Sequence, residues 1–440
     1  MAPVSTRIVI RRARLVRDPP AVGATVVVQG DRITRVALHG ERVVPEPGDW
    51  EIDADGRLLV PGGVDAHTHL AAGALLRFAG LPARYPGSPR ALRQGFRRPA
   101  EDRLAPADVE ALATAAALAA LRAGTTTVVA LERAMPGEEL PTLLAAERAV
   151  RVVGIRALLA HGASDLGGAG RGQASARAAG EFAAPRANDP MVRGMAGLDG
   201  LAATTRETLE ALSGTAARFG IHASIGEDGS DLERSWGLEQ RWPLQLLDDA
   251  GLLGSRTLVA HASTLSTPEA DALRGADAAL VVPLRAARYW GVEPASLDLA
   301  ALSEVPLALG TDGLFPDLAG EAVELAGHLR RRRSAPPPGG NFLEESAWPT
   351  GAVLAGQLLG IRLGVVEAGA AADLALLEWR PSAVEPEGRG GNAAVLWAGA
   401  PASWVMVAGE VRLREGEVLG VDPAEVSARA VEAARRALAD

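Results

Sequence analysis

Residues 58–69 carry the sequence LLVPGGVDAHTH, in which a run of apolar residues leads directly into two histidines, His67 and His69. Alternate side chains of a β-strand point to the same side, so the two imidazoles can hold one metal ion together. Imidazole is a ligand that suits zinc and ferrous iron. With 7 histidines in 440 residues, the pair is a modest signal by itself. The pair indicates a metal site only if other parts of the chain place further metal-binding side chains beside it.

The chain beyond this segment alternates strand-like apolar runs with helical patterns. One helix is predicted to begin at Pro106, a favourable first-turn residue, and to stop near Gly124. Another is predicted to begin near Thr204, with Glu207 completing a capping box. Eight strand-like runs accompany them: 58–69, 126–131, 155–159, 192–198, 220–225, 257–261, 278–282 and 307–312. This rhythm predicts an α/β fold, a parallel (β/α)8 TIM barrel, over residues 59–363.

Both ends of the chain have a sequence pattern that differs from that of the middle. Residues 1–58 and 364–421 contain short apolar runs separated by Gly- and Asp-containing turns. This pattern predicts one small β-sandwich domain formed by both termini. Residues 422–440 are predicted to form a C-terminal helix. Two stretches, 84–100 and 162–190, are rich in Gly, Pro, Ala and Arg; in a barrel they would be loops over the active-site face, either lids or disordered segments.

Residue types that bind metals recur at the ends of the predicted strands. The five that share this placement are His67, His69, His222, His261 and Asp312. Because the carboxyl ends of parallel barrel strands meet on one face, these side chains are expected to converge there. His161 ends a candidate third strand, so it either faces the same pocket or belongs to the core. His39 and His328 lack the strand-end placement and are interpreted as surface residues.

The composition excludes several kinds of chemistry. The chain has no cysteine and no lysine, so disulfides, thiolate metal sites, Schiff bases and a carboxylated-lysine bridge between two metals are impossible. The net charge of -9 argues against a nucleic-acid surface. No apolar stretch reaches the length of a bilayer span, and the N-terminus has no signal-like apolar block. We therefore expect a cytoplasmic protein without nucleic-acid or membrane partners.

Several segments resemble those of the amidohydrolase superfamily. They are PGGVDAHTHL at 61–70, GTTTVV at 124–129, LVAH at 258–261, LGTDG at 309–313 and the return toward the terminal sheet at 364–374. The similarity covers nearly the whole chain. It is greatest to the mononuclear aminohydrolase/chlorohydrolase group, which includes adenosine-, guanine- and cytosine-type deaminases and an aminohydrolase associated with selenium metabolism. The absence of lysine agrees with a mononuclear branch.

The resemblance implies roles for the strand-end residues. One divalent ion, zinc or alternatively iron, would be held by His67, His69, His222 and Asp312. His261 would orient the attacking water or polarise the substrate, and Asp312 would also take a proton from the water. The resemblance further implies a small-molecule substrate and a homodimer.

The sequence departs from the group where the substrate is bound. The strand-5 glutamate that protonates the substrate ring is Ile225 here, and Glu227, two residues further on, is the candidate replacement. Asp199 stands where the group has a strand-4 histidine. We therefore take Asp199, His161 and Arg285, which follows strand 7, as candidate substrate-binding residues.

Three functions remain open at this point. The first is metal-dependent hydrolysis of a C–N bond other than a peptide bond, with deamination of a heterocyclic or amidine-like small molecule by activated water. The second changes the bond to a C–Cl, amide or lactone bond, which the loss of the strand-5 glutamate favours. The third is a barrel that has lost catalysis and serves as a binding or scaffold protein.

Overall fold

The computed structural model describes residues 7–15, 21–38, 40–79, 88–133, 135–331, 340–379 and 399–438. The interpretation of His39 lies outside these ranges, and so do residues 84–87 of the first Gly- and Pro-rich stretch. The strands are β1 (Arg7–Leu15), β2 (Ala21–Gln29), β3 (Arg32–Ala37), β4 (Trp50–Asp53), β5 (Leu58–Pro61), β6 (Gly63–Thr68), β7 (Thr125–Glu132), β8 (Arg156–His161), β9 (Val192–Gly194), β10 (Ala196–Asp199), β11 (Ile221–Ile225), β12 (Thr257–His261), β13 (Ala279–Val282), β14 (Leu307–Leu309), β15 (Leu374–Leu377), β16 (Ala402–Val407), β17 (Glu410–Arg414) and β18 (Glu417–Val418).

The helices alternate with the strands through the middle of the chain. They are α1 (Leu70–Ala79), α2 (Pro89–Leu92), α3 (Arg98–Glu101), α4 (Pro106–Arg122), α5 (Glu139–Val153), α6 (Arg171–Ala183), α7 (Arg206–Phe219), α8 (Ser230–Glu239), α9 (Pro243–Asp249), α10 (Thr267–Ala276), α11 (Leu284–Trp290), α12 (Leu297–Leu302), α13 (Leu318–Arg331), α14 (Gly340–Leu359) and α15 (Pro423–Leu438). A π-helical turn, Arg93–Arg97, joins α2 to α3, and a short 3-10 turn, Ala184–Arg186, follows α6.

The central strands form a ring of parallel neighbours. Strands β6 to β9 pair in sequence, and strands β10 to β14 do the same. Only Met195 separates β9 from β10, and its N–H donates to Leu159 O at 3.0 Å. The ring closes where Thr311 N and Asp312 N donate to His67 O, at 2.9 and 3.0 Å. Since β9 and β10 together occupy one position, the ring has the eight positions of a (β/α)8 barrel, and this prediction is confirmed.

Two helix predictions have different outcomes. Helix α4 begins at Pro106 as predicted. Helix α7 begins one residue later than its predicted capping box requires, because Thr205 is the N-cap and accepts from Thr208 N. The Thr204 hydroxyl instead donates to Gly200 O at 2.7 Å. The capping box between Thr204 and Glu207 is therefore wrong.

Both Gly- and Pro-rich stretches contain regular structure in the described residues. Helix α6 occupies the middle of 162–190 and buries Phe182 completely, so this stretch is mainly a barrel helix rather than a lid or a disordered loop. The first stretch forms α2, the π-helical turn and α3, with Arg93, Arg97 and Arg98 buried. Within the described ranges, no single helix is long and apolar enough to cross a membrane. One bent pair, Pro89–Glu101 with Pro106–Arg122, reaches that length and composition when taken together.

Strands from both ends of the chain form one further sheet. Its order is β18-β17-β16-β15-β5-β1-β2-β3, with β4 beside β1. The two ends meet where β5 pairs antiparallel with β15, Leu59 opposite Leu376. Residues from both ends share one apolar cluster, which includes Ile10, Ile52 and Leu374. The division of the chain at residues 58 and 364 remains a prediction.

Candidate active site

The carboxylate of Asp65 joins β6, the strand that carries His67, to the segment that follows β14, the last strand of the barrel. Asp65, His67 and His69 alternate along β6 and its end, so they point to the same side. Asp65 accepts hydrogen bonds from Thr311 N at 3.0 Å and Thr311 Oγ1 at 2.5 Å, and from His67 N at 3.3 Å. These buried hydrogen bonds set the position of His67 relative to the segment that carries Asp312.

His67 lies at the centre of the predicted cluster. Its ring packs edge-on against three others, with centroid distances of 4.9 Å to His69, 4.9 Å to His222 and 5.0 Å to His261. One possible ligand atom from each of His67, His261 and Asp312 lies within 4.8 Å of the other two. His67, His69, His261 and Asp312 lie at or just after strand ends, whereas His222 is the second residue of β11 and not at its end as predicted. All five nevertheless form one buried group.

Asp312 presents its two carboxylate oxygens to different partners. Its Oδ1 lies 3.4 Å from His67 Nε2 and 3.3 Å from His69 Nε2. Its Oδ2 accepts a hydrogen bond from Trp290 Nε1 at 3.2 Å. Asp312 and His261 both have left-handed backbone, with φ of 55° and 71°. Residues other than glycine rarely adopt this conformation, and it commonly marks functional positions.

His222 is the predicted ligand whose placement differs most from that of the others. Its Nε2 lies 2.8 Å from His67 Nδ1, so it contacts the nitrogen of His67 other than the one that lies near Asp312. The compact group therefore contains His261, to which the sequence assigned a catalytic role, and contains neither His69 nor His222. The spacing along the strands could predict the shared face, but not which ring would lie nearest to Asp312.

The chemistry of the cluster fits a divalent metal ion. Five of its buried polar atoms have no hydrogen-bond partner among the described residues: His67 Nε2, His69 Nε2, His222 Nδ1, His261 Nε2 and Asp312 Oδ1. Burial, followed by the charge of Arg97, lowers the pKa of His69 to about 3, and burial lowers the pKa of His261 to about 4. Both rings are thus neutral at physiological pH, the form that binds metals.

Glu227 follows β11 and is held by two arginines. Its Oε1 accepts from Arg97 Nη1 at 2.9 Å, and its Oε2 lies 3.2 Å from Arg93 Nε. Burial alone would raise the pKa of Glu227, but the two guanidinium charges outweigh it and lower the pKa to about 2. Glu227 is therefore ionised at neutral pH and has no proton to donate.

Asp199 ends β10 beside three guanidinium groups. Arg93 Nη2 lies 2.9 Å from one carboxylate oxygen, while Arg98 Nη2 at 3.2 Å and Arg133 Nη1 at 2.5 Å approach the other. Burial would raise the pKa of Asp199, but these charges hold it well below its usual range. The predicted substrate-binding carboxylate is already fully engaged with arginines.

The other candidate substrate-binding residues lie apart from the metal cluster. His161 Nδ1 is 3.1 Å from Ser175 Oγ, in a second pocket that Arg133 and Arg171 also line. Arg285 donates to Asp317 O at 3.1 Å and stacks 4.6 Å above the ring of Phe315. Among the described residues, neither side chain makes a hydrogen bond, ion pair or ring contact with a member of the cluster.

Several residues at the site were not predicted. Glu132 ends β7 and accepts from Leu70 N at 2.7 Å and Ala71 N at 3.2 Å, which fixes the helix that follows His69. Arg133 follows it directly, so the strand-end rule could have indicated both residues. Arg93 and Arg97 lie in a stretch without clear periodicity, and no sequence pattern distinguishes them from the other arginines there.

The chain resembles known proteins over nearly its whole length. A model of the Amidohydrolase family matches residues 58–411. The chain is 27% identical to a 5-methylthioadenosine/S-adenosylhomocysteine deaminase of Pyrococcus furiosus over 427 residues, which cover 91% of this chain and 96% of the relative.

Solved structures share the fold at lower identity. An adenosine deaminase from Xanthomonas campestris with bound zinc has a TM-score of 0.81 at 21% identity and covers 98% of both chains. An atrazine chlorohydrolase from Arthrobacter aurescens in complex with zinc has a TM-score of 0.80 at 21% identity, and covers 97% of this chain and 100% of its own. These structures share the barrel fold. Because the family model matches residues 58–411, which is most of the chain, the chain belongs to the amidohydrolase family.

Proposed function

We propose that the protein is a metal-dependent hydrolase that cleaves a C–N bond other than a peptide bond, in a heterocyclic or amidine-like small molecule, with release of ammonia. One observation carries the proposal: five buried side chains meet here, each with a ligand atom that lacks a hydrogen-bond partner in the described chain, namely His67, His69, His222, His261 and Asp312. The deaminase names of several relatives support it. A degenerate barrel would have no need to keep these five residues together.

The residues divide the work as follows. His67, His69, His222 and Asp312 would hold one divalent ion, zinc or alternatively iron. When bound, such an ion supplies water made acidic enough to yield hydroxide near neutral pH. Asp312 accepts the proton of the attacking water and passes it to the leaving nitrogen. His261 orients the water through a hydrogen bond, and the burial of all these side chains excludes bulk solvent.

Glu227 has a different role from the ring-protonating glutamate of the resembling group. Because its carboxylate is ionised, it accepts an N–H hydrogen bond from the substrate rather than donating a proton. The same observation favours a second candidate reaction, hydrolytic dechlorination, since chloride leaves without being protonated. Measuring ammonia and chloride release from matched amino- and chloro-heterocycles distinguishes the two reactions.

The metal site is tested with a His67→Ala/His69→Ala double variant. We expect about one zinc or iron per native chain by elemental analysis, and loss of nearly all of it in the variant, because two imidazoles of the proposed set are removed. His328→Ala, which removes a histidine of α13, is the matched control and should retain the metal. A native protein that stays metal-free after reconstitution would contradict the proposed function.

Trp290→Phe tests the hydrogen bond that fixes Asp312. The substitution keeps an aromatic ring but removes the donor 3.2 Å from Asp312 Oδ2. A hydrogen bond to a charged group contributes ~1.5–3 kcal/mol, so kcat/KM should fall roughly 10- to 100-fold. Metal affinity, measured by competition with a chelator, should fall as well. Trp236→Phe on α8, with a side chain exposed at the surface, is the control, and equal effects of both variants would exclude the positioning role.

A further inference from the structure

The guanidinium group of Arg97 lies inside the proposed active site. Its Nη1 donates to Glu227 Oε1 at 2.9 Å, and its Nη2 lies 4.0 Å from Asp312 Oδ1. Its Nε is bound to Glu101 at 2.8 Å, so all three nitrogens face carboxylates. A planar cation with three nitrogens on one carbon therefore spans the space between Glu227 and the cluster.

Most of the carboxylates of this region come from the barrel, whereas most of the cations, together with Glu101, come from residues 88–101. The barrel supplies Asp199, Glu227, Asp228 and Asp312 from strand ends or the loops that follow them, whereas residues 88–101 supply Arg93, Arg97 and Arg98. Without that segment, the barrel face of this site would be strongly acidic, with Arg133 as the barrel's contribution to the opposite charge.

The acidic face also has unused capacity for a cation. Asp228 Oδ2 is buried and has no hydrogen-bond partner among the described residues, with Arg93 Nη1 3.7 Å away. A small pocket adjoins it and is lined by Arg93, Arg97, Glu227, Asp228 and Trp290, among others. Glu227 and Asp228 thus both line this pocket.

Resting on the proposed function, we propose that the substrate is a cationic amidinium or guanidinium compound. Its planar head replaces the guanidinium of Arg97 between Glu227 and Asp312. Carboxylates bind such heads through paired, charge-assisted hydrogen bonds, and the site already binds the same chemical group from its own chain. The side chain of Arg97 thus acts as an internal competitor for the substrate position.

The reaction of such a substrate agrees with the ionised state of Glu227. Water adds to the central carbon of the cation, one C–N bond breaks, and the nitrogen leaves as ammonium. An amidinium yields an amide and a guanidinium yields a urea, so one positive charge enters and one leaves, without an oxidant or reductant. Because the substrate already carries the activating proton, no acid is needed from the strand-5 position.

An anionic substrate fits the same region less well. Among the described residues, four buried guanidiniums, those of Arg93, Arg97, Arg98 and Arg133, face five buried carboxylates, those of Glu101, Asp199, Glu227, Asp228 and Asp312. An incoming anion would have to displace one of these carboxylates. An incoming cation needs only to exchange with Arg97.

The test compares three ligands of nearly equal shape: benzamidine, benzamide and benzoate. Their binding to the zinc-loaded protein is measured by isothermal titration calorimetry, and ammonia release is measured in parallel. We expect the benzamidinium cation to bind at least about tenfold more tightly than the other two. Glu227→Gln should abolish this preference, because the amide cannot provide two anionic acceptors.

Arg97→Met should strengthen benzamidinium binding about tenfold or more, since removal of an internal competitor raises the fraction of binding-competent protein. Arg90→Met, on the same segment and paired with exposed Glu233, is the matched control and should not change it. Circular dichroism checks that each variant folds. If Arg97→Met does not fold, the ligand comparison in the native protein and in Glu227→Gln still decides.

The outcomes separate the two proposals. Benzoate binding as tightly as benzamidinium, or weaker benzamidinium binding in a folded Arg97→Met variant, would overturn the cationic substrate. Ammonia release from adenosine- or cytosine-type compounds without a benzamidinium preference would also overturn it, yet leave the proposed hydrolase function intact. A benzamidinium preference without ammonia release from any compound would support the cation site and count against the hydrolase.

Discussion

Asp312→Asn is expected to lower kcat/KM for ammonia release about 10³-fold, within the roughly 10²–10⁴-fold range for loss of a general acid–base group. The amide keeps the shape of the carboxylate and can still accept from Trp290, but it cannot take a proton from water. Burial would raise the pKa of Asp312, but Arg97 and the neighbouring histidines hold it well below its ordinary range, so the native group is ionised.

Steady-state kinetics and elemental analysis on the same preparation separate two causes of this loss. If metal content falls with the rate, Asp312 acts mainly as a ligand; if metal is retained, it acts mainly on the proton. Asp317→Asn, a nearby carboxylate that faces Arg285 and is partly exposed, is the control and should keep both. A rate within threefold of native in Asp312→Asn would refute the assigned role.

The barrel could be predicted from the sequence because its strands are buried on both faces. Strands β7, β8 and β11 are buried at every position, and their short runs rich in apolar and β-branched residues stand out between amphipathic helices. The break at Met195 could not be predicted, since it interrupts pairing without interrupting the apolar run. Likewise, two adjacent threonines offer the same capping chemistry, and the hydrogen bonds that Thr205 donates to Asp165, distant in sequence, decide between them.

The metal cluster was predictable in membership but not in geometry. The sequence pattern assigned His222 and His261 to one face, although His222 is the second residue of β11 and only His261 ends its strand. Their distances to Asp312 depend on local backbone. His261 has φ of 71°, a conformation that apolar strand patterns do not indicate. The His261 ring lies in the compact group with His67 and Asp312, whereas His222 contacts the Nδ1 side of the His67 ring.

The burial of Arg93, Arg97 and Arg98 against the barrel could not be predicted, because their carboxylate partners are distant in sequence. Arg97 is separated by 130 residues from Glu227, and nothing in its local sequence indicates burial. An arginine in a Gly- and Pro-rich stretch is ordinarily solvated, and only the acidic face of the finished barrel makes its burial favourable. The segment that sets the proposed substrate class is thus the one with the weakest local signal.

Arg156→Met is expected to lower the free energy of unfolding by about 3–5 kcal/mol, the usual cost of leaving one buried charge without its partner. Arg156 begins barrel strand β8, and its Nε and Nη2 donate to the two carboxylate oxygens of Asp373 at 2.8 and 2.9 Å. Asp373 directly precedes β15 of the terminal sheet, and both side chains are about 1–2% exposed. Urea unfolding measures the loss.

A double-mutant cycle identifies the pair as the cause. Asp373→Leu alone should cost a similar amount, whereas Arg156→Met/Asp373→Leu should cost clearly less than the sum, because no buried charge remains uncompensated. Arg12→Met, which breaks an exposed pair with Asp53, should leave stability within error. If the two single losses simply add, the barrel and the terminal sheet are held together by their apolar contacts, and the buried pair contributes little to that junction.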